Sequence, residues 1–163
     1  MTKLETSLLD LLQEDCRLPL EKLAVMTGSS LEEVAEAIDR LEKSRVILRY
    51  SPVINWDLTD RERVEAMIEV KVTPQRDMGF DAVAARIYRF DEVKSVYLMS
   101  GGYDLLVLVE ARTLRELASF VSAKLSTLEL VTGTATSFVL KRYKEEGVVF
   151  ENGESDHRLV VSP

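Results

Sequence analysis

The residue types that could do chemistry are concentrated in one short stretch, Met99-Ser100-Gly101-Gly102-Tyr103-Asp104, set between two apolar runs. Adjacent glycines let backbone amides converge into a concavity that can hold a carboxylate, and Asp104 beside them can meet a cation. A carboxylate and an amine recognised side by side describe an amino acid. The same turn also reads as a plain hairpin, its glycines supplying positive φ and its Asp satisfying local amides.

Little else in the chain suits catalysis. His157 is the single histidine and follows Asp156, and no Ser or Cys sits in a recognisable nucleophile setting. Neither a triad nor a metal site is expected, and no cofactor is implied. Cys16 is the single cysteine, which excludes an internal disulfide and is expected to act as a small buried apolar residue. The net charge of -7 opposes indiscriminate nucleic-acid binding, which depends on neutralising phosphates, so any DNA contact must be local. With 46% hydrophobic and 30% charged residues the composition is that of a globular protein. No apolar run approaches the roughly 20 residues of a membrane helix, and no basic-then-apolar leader is present, so a cytoplasmic protein without a membrane partner is expected.

These residues need a scaffold, and the periodicities supply one. Thr2-Lys3-Leu4-Glu5 is a capping box before Leu4, Leu8, Leu11 and Leu12 at helical spacing. Pro19 suits the start of a second helix lined by Leu20, Leu23 and Ala24 and ended by Gly28. Ser30-Leu31-Glu32-Glu33 is a second capping box, and Leu31, Val34, Ile38 and Leu41 stripe a third helix. The spacing is that of a helix-turn-helix. Residues 46–50 and 52–54 can pair as a small wing. Ala66, Ile68, Val70 and Val72 then alternate with polar positions as a strand stopped by Pro74. A helix striped by Phe80, Val83, Ala84 and Ile87 follows, then the two strands around the glycine loop, with 105–109 an unbroken buried run. Thr113 caps a helix striped by Leu114, Leu117, Ala118, Val121 and Leu125, and 131–141 is the last strand. The order βαββαβ predicts an α+β unit with a four-stranded antiparallel sheet and both helices on one face. We assign 1–56 to a winged helix-turn-helix domain, 57–63 to a linker, 64–145 to a ferredoxin-like domain and 146–163 to a tail. In that tail, 148–150 and 159–161 around Asn152-Gly153 could form a hairpin or a strand added to a partner.

In this order the residues resemble the leucine-responsive regulatory protein and AsnC family, the feast/famine transcriptional regulators. The resemblance covers almost the whole chain. It rests on 8–17 ending in Gln13-x-x-x-Arg17, Leu23-Ala24, Gly28-x-Ser30, Arg40-Leu41-Glu42, Val46-Ile47, and Ser100-Gly101-Gly102-Tyr103-Asp104 with Leu106 and Val109. It implies a winged helix-turn-helix joined to a ferredoxin-like effector domain. It also implies dimers assembled through that domain, often into tetramers or octamers, which bind promoter DNA and respond to amino acids or related metabolites. Ser100 stands where the family usually has Thr and keeps the hydroxyl. Decarboxylases of a modified tetrapyrrole share a similar two-domain architecture, but their His and Arg find no counterpart in 97–104.

The third helix departs from the family, whose members commonly carry Arg or Lys there. Residues 30–49 hold four bases (Arg40, Lys43, Arg45, Arg49) against five acids (Glu32, Glu33, Glu36, Asp39, Glu42), a net of 4 − 5 = −1. Acids near a helix start complement its dipole and can accept from a cytosine amine; they can equally form a solvated face. The expected DNA-binding residues are Ser30, Glu33, Arg40, Lys43, Arg45 and Arg49. The expected effector residues are Met99, Ser100, Gly101, Gly102, Tyr103 and Asp104, with Thr132, Thr134 and Thr136 closing the pocket. The reading is an amino-acid-responsive DNA-binding regulator acting as a homo-oligomer. The alternative is an interaction module that binds a metabolite but has weak or lost DNA binding.

Overall fold

The computed structural model describes residues 1–73 and 79–150, which fall into two compact units divided between Ile54 and Asn55. The first contains α1 (Lys3–Glu14), α2 (Leu20–Thr27) and α3 (Leu31–Lys43). Both capping boxes form: Thr2 and Glu5 exchange bonds at the start of α1, and Ser30 and Glu33 at the start of α3. Gly28, at φ 66°, closes α2 in the left-handed conformation that glycine takes without strain. Leu8, Leu23, Ala24, Val34 and Ala37 form the core of this unit.

Some expected positions shift. Leu31 is exposed and Ala37 takes the inward place in α3, because a stripe read from its first turn lies outside the helix-helix contact. Cys16 is half-buried, lying beyond the end of α1. The expected wing does not form, and residues 46–54 carry no strand pairing. Its first residues instead finish α3: Arg45 N–H donates to Glu42 O at 3.0 Å and Val46 N–H to Leu41 O at 2.9 Å, with Arg45 left-handed at φ 60°. This is the double-bonded helix ending usually built on glycine.

The second unit opens with a single 3-10 turn, Trp56–Leu58. It continues with β1 (Val64–Val72), α4 (Phe80–Ile87), β2 (Val93–Leu98), β3 (Leu105–Ala111), α5 (Leu114–Phe120), a π turn at Val121–Leu125, and β4 (Val131–Phe138). The sheet order is β2-β3-β1-β4, antiparallel throughout. Ala66, Ile68 and Val70 of β1 meet Val109, Val107 and Leu105 of β3, and this face is buried under Val83, Ile87, Leu117, Phe120 and Leu125. At roughly 1.5–3 kcal/mol per fully buried side chain, such a face carries its own core.

The opposite face is open. Met67 and Tyr97 are exposed, and Leu106 and Leu108 half-buried. Residues 105–109 therefore alternate rather than forming an unbroken buried run. In the α5 region Leu117, Phe120 and Leu125 are buried while Leu114 and Ala118 are exposed, so the inward face runs through Leu117 and Phe120. The last strand stops at Phe138 rather than 141. Beyond it, β5 (Lys144–Glu145) pairs with β6 (Val148–Val149) around Glu146-Gly147, both at positive φ. Val148-Val149 thus pair backwards with Lys144-Glu145, in a hairpin that straddles the expected tail boundary. Asn152, Gly153, Asp156, His157, 159–161 and Pro74 lie outside the described residues.

Candidate functional site

β1 is the central strand to which both halves of the expected effector site attach. On one side the loop 99–104 enters β3: Asp104 N–H donates to Val70 O at 3.1 Å, and Met99 N–H donates to Asp104 O at 2.8 Å. On the other side a bulge between Lys71 and Val72 breaks the ladder with β4, where Lys71 meets Gly133 and Val72 meets Val131. The β1–β3 register ends at Val70 opposite Leu105, and just beyond it the Asp104 carboxylate accepts from Val72 N–H at 2.8 Å. Asp104 therefore has a structural task that spacing did not reveal: it completes the end of β1.

Thr132, the extra residue of the bulge, donates its hydroxyl to Lys71 O at 3.3 Å. Thr134 lies opposite Val70 and Thr136 opposite Ile68, on the helix-covered side, and Thr134 Oγ1 is 3.4 Å from Ser126 Oγ. Thr132 and Thr134 thus share the end of the sheet with Asp104, across Val70–Val72, while Thr136 sits further from it. Met99, Ser100, Gly101 and Gly102 are exposed and Tyr103 and Asp104 half-buried. Neither Gly101 nor Gly102 has positive φ, and a Cβ at either would meet nothing within 4 Å. Their lack of a side chain answers no need inside this chain.

The opposite end of the sheet was not anticipated. Glu65 is buried between Arg63 and Arg142 and ion-pairs with both. Arg63 reaches Glu110 at 2.9 Å, Arg142 reaches Glu145 at 3.1 Å, and Arg61 reaches Glu110 at 3.0 Å. The Arg61 guanidinium lies 4.7 Å above the ring centre of Trp56. Burial pushes the Arg63 pKa down, against the pull of Glu110. A sequence clue existed: a glutamate within an apolar strand, with arginines flanking it, needs a partner. A cleft of about 950 Å³ adjoins this end, lined by Arg61, Glu92, Glu110, Arg112 and Lys124 among others. It lies away from the glycine loop.

In the first unit, Ser30 and Glu33 are spent on the cap: the Glu33 carboxylate accepts from Ser30 N–H at 2.8 Å and Ser30 Oγ at 2.9 Å, and the Ser30 amide bond leads the effects holding its pKa below the ordinary 4.5. Arg40 pairs with Glu5 at 3.3 Å and Glu36 at 3.7 Å, and Lys43 with Asp39 at 2.7 Å. Tyr50 donates to Glu42 at 2.8 Å; burial and then that carboxylate push its pKa up to about 12. Among the described residues the Arg45 and Arg49 side chains have no ion pair. Arg45 also holds a left-handed backbone, which costs a non-glycine residue on the order of 1 kcal/mol.

Residues 1–42 match the AsnC-type helix-turn-helix domain and 65–149 the Lrp/AsnC ligand binding domain. The chain is 54% identical over 164 residues, covering 100% of itself and 99% of its counterpart, to the uncharacterized HTH-type transcriptional regulator YugG of Bacillus subtilis. It is 30% identical to the HTH-type transcriptional regulator FL11 of Pyrococcus furiosus, over 87% of this chain and 91% of that one. A solved transcriptional regulator–L-Met complex from Neisseria meningitidis superposes with TM-score 0.72 at 23% identity, covering 89% of this chain and 93% of that one. No helix among the described residues is long and apolar enough to cross a membrane.

Proposed function

The chain belongs to the Lrp/AsnC family of transcriptional regulators, with a helix-turn-helix and a ligand-binding domain, and on that premise we propose that it is an amino-acid-responsive homo-oligomer acting on promoter DNA in the cytoplasm. The observation that carries the effector reading is the pair Gly101-Gly102, exposed beside Asp104 and required neither by backbone conformation nor by crowding. Side chains absent without internal cause leave room for a molecule from outside. Their amides hold the carboxylate, and Asp104, bonded to Val72 through one oxygen, offers the other to the ammonium, with Thr132 and Thr134 closing the site and Thr136 set back along β4. The Neisseria relative solved with L-Met supports that ligand class.

The open sheet face supports a homodimer at least: Met67, Tyr97, Leu106 and Leu108 lie on a face that no described element of the second unit covers. A dimer or larger mass by light scattering at micromolar concentration is expected; a monomer overturns it. Gel shift on DNA upstream of the protein's own gene, with and without mixed amino acids, tests the whole reading. Binding that changes with amino acids supports it. Calorimetric amino-acid binding without a gel shift favours the interaction-module alternative, for which the acidic, internally paired α3 is the argument.

A further inference from the structure

Building on the DNA-binding reading, we infer that α3 reads its half-site through pyrimidines, Leu31 packing on thymine methyls and Glu32 and Glu36 accepting from cytosine amines. In a helix-turn-helix the N-terminal part of the second helix approaches base edges. In α3 that part exposes Leu31, Glu32, Glu33 and Glu36. Glu33 is occupied by Ser30, whereas Glu32 has no partner among the described residues and Glu36 only a 3.7 Å approach from Arg40. Guanine is read by the forks of Arg or Lys, and adenine by Asn or Gln. None of these residue types occurs from Ser30 to Asp39.

The cations that do occur are placed elsewhere. Arg40 and Lys43 lie in the last turn and are tied to acids, and Arg45 and Arg49 follow the helix with free side chains suited to phosphate. What remains at the helix start is an apolar side chain 48% exposed and two carboxylates. A methyl group and an exocyclic amine are the base features that complement them. Carboxylates also repel the phosphates of every wrong sequence, so the arrangement gains discrimination at the expense of affinity.

The test uses the full chain and a randomised duplex pool, followed by base-analogue duplexes of the selected half-site. Uracil in place of thymine is expected to weaken binding about fourfold per contacted methyl, while 7-deazapurines, which lack the N7 that bidentate readout needs, leave it unchanged. Leu31→Ala, at an exposed position, should bind thymine and uracil duplexes alike, and Glu36→Gln should move one position from cytosine toward adenine. Loss of binding with 7-deazapurines, or indifference to uracil in wild type, overturns the inference while DNA binding stands. A pool from which no sequence is retained overturns the DNA-binding reading together with it.

Discussion

The two ends of β1 are closed in opposite ways. At its start, Glu65 is held between Arg63 and Arg142, and Glu110 joins Arg63 to Arg61 above Trp56. At its finish, one carboxylate, Asp104, covers the one β1 amide that lies beyond the start of β3, and two exposed glycines precede it. Ion pairs tie the first end together beside the charged cleft. The second end keeps backbone groups, a carboxylate and space. On the proposed function, stability falls to the first end of the strand and recognition to the second.

The largest expected effect lies at the ionic end. Removing one partner of a buried pair strands the other's charge, so Glu65→Ala should cost about 3 kcal/mol in urea unfolding, without altering amino-acid affinity in the protein that remains folded. Retained stability would show that this network is decorative. At the other end the two roles of Asp104 can be separated. Asp104→Ala orphans Val72 N–H and should cost about 1–3 kcal/mol, and it should weaken effector binding at least about tenfold, as loss of a charge-assisted contact does. Asp104→Asn restores an acceptor for the amide but not the charge, so stability should recover and binding should not. Recovery of both would make Asp104 purely structural.

This division was only half legible in the sequence. The strand alternation of Ala66, Ile68, Val70 and Val72 and the two capping boxes are local patterns, and each formed as read. The glycine loop was visible because its residues are contiguous. The ionic end was not, because Arg63, Glu65, Glu110 and Arg142 come together only through the sheet register and the chain beyond β4. The bond from Asp104 to Val72 depends on β3 starting two residues short of the end of β1, a register that no residue type announces. The wing failed for a related reason: Arg45 occupies a helix-ending position that pattern reading reserves for glycine.

A smaller effect separates space from conformation at the recognition end. Because Gly101 is at neither positive φ nor close contact, Gly101→Ala should leave stability unchanged or raise it by up to about 1 kcal/mol through the unfolded chain. Effector affinity should nevertheless fall, since a methyl would occupy the side on which the ligand approaches. A destabilised Gly101→Ala protein would mean that the glycine serves the fold, and the contrast between the two ends would weaken.

The smallest expected effect is the pH dependence that Glu92 contributes at the ionic end. Glu92, whose carbonyl accepts from Glu110 N–H at 2.8 Å, pairs with Lys124 at 2.5 Å. Burial pushes the Glu92 carboxyl up, but the Lys124 hydrogen bond and charge outweigh it and hold the group below its ordinary 4.5. A carboxyl with a depressed folded value binds its proton less readily in the native state, so its contribution is complete above 4.5 and disappears as pH falls through the folded value. Amide protection around residues 90–92 and 110–112, measured relative to the intrinsic exchange rate at each pH, should therefore fall on acidification in wild type, and Glu92→Gln should flatten that dependence while leaving the loop 99–104 unchanged. Equal acid sensitivity in wild type and Glu92→Gln would place the titrating group elsewhere.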